Sequence, residues 1–440
     1  MSKVLIISPY FAPSNAADMQ RIRMSLPYFK DFGWEAELVT VFAKHSEMVK
    51  DNLLSESVPP ETIIHYVKAY SKRWTSKFGL GSLALRSLWF YKQSVNKLLM
   101  NKKYDLIYFS TTQYPVCILG AYWKKRFGIP YVIDMQDPWH SDYYRNKPKA
   151  QRPPKYWFSY RLNKWLEPIA MKHVSGLISV SQAYIEDLKK RYPLIKGIPS
   201  ETITFGAFEK DFEITAKYAA KIKTPFEQEV GKIQVVYVGR GGQDMLQAVR
   251  PLFMAMQKGL SLQHELFERF NFLFIGTSYA ASGSGLQSIQ PLADGLGLQD
   301  YVFEQTDRIG FYESLASLQK ADILFIPGSD DPKYTASKLY PYLMSQKTIL
   351  AVFHEKSSAV DILRSCSPDG KLFTFTLFGF TGDQEELISN IYRQLSDWAT
   401  GPIKPSAVNR EVFAEYSASA MTAKQTRLFD RVISCRTIDG

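Results

Sequence analysis

The chain has 440 residues, 45% of them hydrophobic and 22% charged, a balance that excludes wholesale disorder. No apolar run approaches the ~20 residues a membrane-spanning helix needs, which excludes an integral membrane protein. Residues 1–205 carry 30 Lys/Arg against 16 Asp/Glu and residues 206–440 carry 24 against 27, so the net charge of +11 belongs to the first half. That asymmetry points to a negatively charged partner such as anionic lipid, nucleic acid or a phosphorylated substrate.

At about 150 residues per domain, the length predicts two or three domains. The opening apolar run ends at Pro9 and is too short for a signal peptide. The three cysteines, Cys117, Cys366 and Cys435, are far apart, which predicts a reduced cytoplasmic chain without a disulfide framework.

In chain order, Val4–Ser8 reads as a buried parallel strand, followed by a helix over 17–33 that stops at Gly33. Strands are predicted at Glu35–Val41, Tyr104–Phe109, Pro130–Asp134 and Gly176–Val180, separated by helical patterns at about 82–101, 115–128 and 182–192. The rhythm pauses over 206–231 and restarts at Lys232–Gly239. Further strands follow at Asn271–Gly276, Ala321–Pro327 and Thr348–Phe353, with helices around 245–258, 284–297, 311–320 and 335–346. A final amphipathic pattern covers 408–432.

This is the alternation of an α/β chain with two doubly wound, Rossmann-like domains. The first spans 1–205, the second 206–405, and the last segment, 406–440, forms a helix packing across the two. Two such domains facing each other would leave a cleft beyond the carboxyl ends of their strands.

The glycines of Val238-Gly239-Arg240-Gly241-Gly242 follow a strand and would let the backbone approach a phosphate, while Arg240 offers a fork of donors to a diphosphate. Asp244 stands where a dinucleotide fingerprint has its third glycine. A second anion site is predicted in the loop and helix after Pro327. There Thr335 and Ser337 are capping-type residues and Lys338 lies in the first helical turn, where a lysine opposes the helix dipole.

Together these pieces resemble glycosyltransferases of the GT-B fold, family four in particular. Gly128-Ile-Pro-Tyr-Val-Ile-Asp-Met-Gln-Asp-Pro-Trp139 is similar to that family's GxPxVxDxRDPW segment, Tyr237-Val-Gly-Arg240 to YxGR, and Ala321–Pro327 to ADxxxxP. Ser337-Lys-Leu-Tyr-Pro-Tyr-Leu343 with Lys347–Ala351 is the most specific match, to SKLxEYLaxgKPiLA. Lys3–Pro9 with Gln20-Arg21-Ile-Arg23 resembles the opening strand, sugar-proximal loop and first helix.

The resemblance implies transfer of a sugar from a nucleotide sugar to an acceptor, with retention of anomeric configuration and no metal or other cofactor. Gly239, Arg240 and Lys338 would bind the donor diphosphate, and Gly276, Thr306, Ser337 and Leu339 the nucleotide and ribose. Ser14, Asn15 and Arg21 would lie near sugar or acceptor. The family's paired glutamates are replaced by Lys333 and Pro341, the lysine expected after the YxGR arginine is absent, and no histidine follows the strand at 104–109.

Asp137 and His140 are the substitute catalytic candidates, the carboxylate to support a cationic sugar and the imidazole to relay the acceptor proton. The six histidines show no metal-ligand spacing.

Residues 143–165 hold seven basic and seven aromatic side chains and no acidic one, and 70–92 are similar. Such a face suits a membrane interface with anionic headgroups, with Arg145, Lys155, Trp157 and Trp165 as its membrane-facing residues. It equally suits single-stranded nucleic acid, but the cleft motifs of the second half speak against that partner.

The function expected is a glycosyltransferase of cell-envelope or exopolysaccharide assembly. It would be cytoplasmic and peripheral on the membrane, using a nucleotide-sugar donor and a lipid-linked or glycan acceptor. The alternatives are a non-hydrolysing nucleotide-sugar epimerase and a non-catalytic relative that binds glycan or lipid.

Overall fold

A computed structural model describes residues 1–142, 145, 149, 152, 156–280, 282–332, 338–376 and 382–436. The chain forms two compact units, Met1–Gly206 with Tyr416–Gly440, and Ala207–Glu415.

The first unit is built on a seven-stranded parallel sheet of order β3-β2-β1-β4-β5-β6-β7. The strands are β1 (Ser2–Ile7), β2 (Trp34–Val41), β3 (Ile63–Val67), β4 (Leu106–Ser110), β5 (Tyr131–Met135), β6 (Gly176–Ser179) and β7 (Ser200–Thr202). Val4, Leu5, Ile6 and Ile7 are fully buried, as expected of a central strand covered on both faces. Helices Leu83–Asn101, Ile118–Phe127, Tyr156–Met171 and Gln182–Arg191 belong to the same unit. The predicted helix over 17–33 is broken: a 3-10 turn at Ala17–Met19 leads into Gln20–Ser25, and a second 3-10 turn at Lys30–Phe32 ends at Gly33 with φ of 79°. Pro27 lies in the gap; it has no N–H to continue the ladder, and its ring crowds the turn before it.

Helix Ala418–Arg436 completes this unit. Phe429 sits among Trp34, Phe29 and Tyr108, with ring centroids 5.3, 6.3 and 5.0 Å away. The Gln425 amide donates to the Ser25 hydroxyl at 2.8 Å. Burying a phenylalanine fully contributes about 1.5–3 kcal/mol, so Phe429 alone is a substantial anchor.

The second unit holds a six-stranded parallel sheet of order β10-β9-β8-β11-β12-β13. Its strands are β8 (Ile233–Val238), β9 (Phe270–Ile275), β10 (Val302–Gln305), β11 (Ile323–Pro327), β12 (Thr348–His354) and β13 (Lys371–Phe375). Helices Leu246–Leu262, Phe311–Lys320, Leu339–Met344, Ser358–Cys366 and Gly382–Thr400 flank it. Residues 206–231, where the strand–helix rhythm of the sequence pauses, contain helix Glu209–Lys217. Its buried Asp211 accepts a hydrogen bond from the Tyr312 hydroxyl at 3.1 Å. The pattern over 284–297 shortens to Gln290–Gly295, because glycines at 283, 285, 295 and 297 flank or end it.

Both sheets reverse their strand order at one point, between β1 and β4 in the first unit and between β8 and β11 in the second. In open α/β sheets the loops leaving such strands frame a ligand crevice.

Candidate functional site

In the second unit the crevice lies where β8 and β11 end. The Tyr342 hydroxyl, on helix Leu339–Met344, accepts the Val238 N–H at 2.8 Å and so ties that helix to the end of β8. One residue on, a Cβ built on Gly239 would fall 1.5 Å from the Lys338 Nζ and 2.7 Å from the Tyr237 hydroxyl. Only glycine leaves room for the ammonium. Lys338 Nζ is 3.4 Å from the Tyr237 hydroxyl and 5.0 Å from the centre of its ring.

Among the described residues no carboxylate pairs with Lys338. Burial, reinforced by the charges of Arg308 and Arg240, lowers its pKa from 10.5 to about 7. An ammonium held among cations and away from water is an incomplete arrangement, and an anion completes it.

Arg240 is held differently. Its guanidinium donates to both oxygens of Asp244, at 3.0 and 2.7 Å. The Ser329 hydroxyl, just past β11, donates to the same carboxylate at 2.7 Å. Burial alone would raise the Asp244 pKa; the hydrogen bonds and charge of Arg240, with Ser329, outweigh it and lower the pKa.

Beside this cluster run the ends of β9 and β10. Gly276 has φ of 73°, and the Gly241 N–H donates to the Thr277 carbonyl at 2.7 Å, joining the two loops. Gly285 passes close enough to Thr306 that a Cβ there would lie 2.8 Å from the Thr306 Cβ. Glu304, which the sequence reading passed over, is buried and organises this edge. It accepts from the Thr277 hydroxyl at 2.6 Å and from the N–H groups of Ile289 and Gln290 at 2.8 and 2.7 Å, capping helix Gln290–Gly295. Arg308, also passed over, stacks on Tyr279 at 4.5 Å. Gly239, Arg240 and Lys338 are therefore brought together, with Gly276 and Thr306 on the neighbouring strand ends. Leu339 is fully packed in the core, where its backbone rather than its side chain remains for a ligand. Ser337, with Lys333 and Thr335, lies outside the described residues.

In the first unit the equivalent crevice contains buried carboxylates. Asp18 accepts from the hydroxyls of Thr111 and Thr112 and from the Thr112 N–H at 2.9–3.1 Å, joining the segment after β1 to the loop after β4. Its pKa is raised by burial against those hydrogen bonds. Arg21 is fully buried and pairs with Asp134 at 2.7 Å, while its other nitrogens donate to the carbonyls of Ile203 and Thr204. Its guanidinium thus ties the segment after β1 to the end of β5 and to the chain after β7. Ser14 is buried and Asn15 half-buried, in the loop that follows the cis Ala12–Pro13 bond.

Asp137 is exposed at the end of β5. Its N–H donates to the Tyr114 hydroxyl at 2.8 Å, and that hydroxyl donates to the Asp137 carbonyl, so its backbone is fixed from both sides. His140 is buried, its ring 4.6 Å from that of Tyr160. Burial, then the Arg191 charge, lowers its pKa, which keeps the imidazole neutral near pH 7. Its Nε2 has no hydrogen-bond partner among the described residues.

Trp157 and Trp165 stand 65% and 67% exposed on helix Tyr156–Met171, with Arg161 stacked on Trp157 at 5.8 Å. Gly79 packs so closely on Phe158 that a Cβ there would lie 2.7 Å from the ring, which brings the exposed Trp74 and Lys77 to the same surface. Arg145 is also exposed, and Lys155 lies outside the described residues. Among the described residues no helix is long and apolar enough to cross a membrane, and no three His, Cys, Asp or Glu side chains are grouped to hold a metal ion.

Comparison with known proteins bears on this arrangement. Residues 37–204 match Glycosyltransferase Family 4. No curated protein matches the chain significantly. Among solved structures, sucrose-phosphate synthase from Thermosynechococcus elongatus is 14% identical, with 99% of this chain and 100% of that one covered and a TM-score of 0.63. Anabaena HepE, in complex with UDP and glucose, is 14% identical over 98% and 100%, with a TM-score of 0.59. An α,α-trehalose-phosphate synthase (UDP-forming) from Burkholderia xenovorans, in complex with glucose-6-phosphate, is 10% identical over 97% and 100%, also with a TM-score of 0.59. The chain has two Rossmann-like parallel sheets and shares the fold of these structures, and its residues 37–204 are similar to Glycosyltransferase Family 4.

Proposed function

We propose that this chain is a glycosyltransferase that moves a sugar from a nucleoside-diphosphate sugar, held by the second unit, to an acceptor hydroxyl brought by the first. The observation that carries the reading is the Lys338 ammonium, without a carboxylate partner among the described residues, lying against Gly239 beside Arg240. In the reaction the bond from the anomeric carbon to the diphosphate oxygen breaks, the acceptor oxygen takes its place, and the acceptor proton leaves. Negative charge grows on the diphosphate, and two preorganised cations stabilise it without reorganising. They supply the neutralisation that a divalent metal gives elsewhere, which supports transfer without a metal. The sugar becomes cationic on the way, and the exposed Asp137 carboxylate is the group we assign to support it, with retention of configuration. Neutral His140 is suited to receive the acceptor proton.

The acceptor in this reading is lipid-linked or part of a glycan, presented at the cytoplasmic face of a membrane during envelope or exopolysaccharide assembly. The exposed tryptophans and basic residues of the first unit support it, since such side chains favour the interface of an anionic bilayer. HepE is described with UDP and glucose, so uridine nucleotides are the first donors to try.

The test is calorimetric titration with UDP, GDP, ADP and their sugar conjugates on wild type and Arg240→Ala. Binding of one base series, weakened in the variant, is expected. No binding of any would sink the transferase reading and favour a non-catalytic glycan- or lipid-binding protein.

A further inference from the structure

Far from the strand ends, helices Leu83–Asn101 and Ile118–Phe127 enclose a surface groove of about 680 Å³. Its lining includes Lys92, Lys97 and Arg126, together with Asn96, Tyr122 and Met100, and no carboxylate. None of the three cations pairs with a carboxylate elsewhere among the described residues. Lys92 Nζ lies 4.6 Å from the centre of the Tyr122 ring.

The Tyr122 hydroxyl accepts from Arg126 at 2.7 Å and from the Asn96 amide at 3.2 Å. Asn96 cannot turn away, because its carbonyl oxygen accepts the buried indole N–H of Trp123 at 3.0 Å. With two donors on the phenol oxygen, the phenol's own hydrogen is left to donate outward. Those hydrogen bonds, from Asn96 and then Arg126, lower the Tyr122 pKa, so the phenol is a stronger donor than an ordinary tyrosine. The groove thus offers two ammoniums, a guanidinium and a phenol hydroxyl, all of them donors.

We propose that this groove is a phosphoryl-anion site, distinct from the donor-diphosphate site of the second unit, formed by Lys92, Lys97, Arg126 and the Tyr122 hydroxyl. A phosphate monoester matches it because its oxygens are acceptors only and carry close to two charges. Such an anion can be a lipid headgroup or a soluble phosphate. Trp89, exposed on the same helix one turn before Lys92, would lie beside the lipid in the first case. The inference does not depend on the donor reading.

The test uses the full chain, with inorganic phosphate in calorimetry and with phosphatidylcholine vesicles that contain or lack phosphatidic acid. The variant Lys92→Gln/Lys97→Gln/Arg126→Gln removes the cations. An equal-charge control, Lys68→Gln/Lys190→Gln/Lys196→Gln, removes exposed lysines elsewhere in the unit. The expected result is binding of phosphate, of phosphatidic acid vesicles, or of both. It should weaken at least about tenfold in the groove variant and not in the control. Phosphate binding in solution identifies a soluble ligand class, and binding to vesicles alone identifies the headgroup. The proposal is overturned if neither probe binds, or if the control loses as much as the groove variant. UDP affinity, measured on each protein, reports that the second unit is intact.

Discussion

Arg240 and Asp244 face each other across a four-residue turn, with one guanidinium nitrogen on each carboxylate oxygen and Ser329 locking the carboxylate from the next strand end. Arg240 therefore already has an anionic partner in the absence of any ligand. An incoming diphosphate has to share or displace that carboxylate. Neutralising it in Asp244→Asn is expected to tighten nucleoside-diphosphate binding several-fold while lowering stability by about 1 kcal/mol or less, the usual worth of a partly exposed pair. Titration of UDP into both proteins decides it: weaker binding in the variant would show that Asp244 chiefly positions the arginine.

Gly239 makes a sharper test, because its substitution separates binding from folding. An added methyl would strike chiefly the mobile end of Lys338, which can swing away cheaply, and would press on the Tyr237 hydroxyl, which has to give by a few tenths of an ångström. Gly239→Ala is therefore expected to fold with a nearly unchanged Tm, yet to lose about ten- to a hundredfold in diphosphate affinity, the worth of one charge-assisted hydrogen bond. Thermal melting beside calorimetry checks both halves. A large fall in Tm with affinity retained would refute the account.

The lowered pKa of Lys338 fixes a sign for the pH dependence. In the free protein the ammonium starts to lose its proton near pH 7, and a bound diphosphate pulls that proton back. Affinity is expected to fall as pH rises above 7, by at most about tenfold per pH unit, with proton uptake on binding. Stability runs the other way. Between about 7 and the unfolded value of 10.5 the unfolded chain binds more protons at this position, so the contribution to stability rises with pH. Lys338→Met should abolish both trends. Heats of UDP binding in buffers of different ionisation enthalpy measure the uptake directly, and equal heats in all of them would contradict it.

The limits of the sequence reading have a physical pattern. All nine interior strands carried recognisable runs such as Val4–Ile7 and Thr348–Phe353, because burial on both faces demands continuous apolar sequence. The four strands that escaped it, β3, β7, β10 and β13, are the four sheet edges. Ser200–Thr202 is short and polar, and Val302–Gln305 alternates buried and exposed, as edges must when they resist further pairing. The same distinction holds at the candidate site. Gly239, Arg240 and Lys338 were legible because each sits in a local strand-to-helix junction. Arg308 and Glu304 were not, since their importance comes from partners on other strands' loops. Arg21 shows what a motif leaves out: its ion pair with Asp134 comes from tertiary packing that local sequence does not reveal.

Arg21 and Asp134 are both completely buried, and the same Asp134 oxygen also takes hydrogen bonds from Ser110, Gln136 and, more weakly, Tyr108. Replacing Arg21 by methionine leaves the carboxylate charged in a site with no compensating cation, and strands the carbonyls of Ile203 and Thr204. Removing one partner of such a pair costs about 3–5 kcal/mol, far more than the pair itself contributes over an apolar substitute. Arg21→Met is expected to lose that much in urea unfolding. Arg21→Met/Asp134→Asn should recover part of it, since the stranded charge is gone. UDP affinity should be unchanged in any variant that still folds, because the proposed donor groups belong to the other unit. If Arg21→Met instead unfolds like wild type but loses transfer activity, the arginine acts on substrate after all, and its burial beside Asp134 would have to open during turnover.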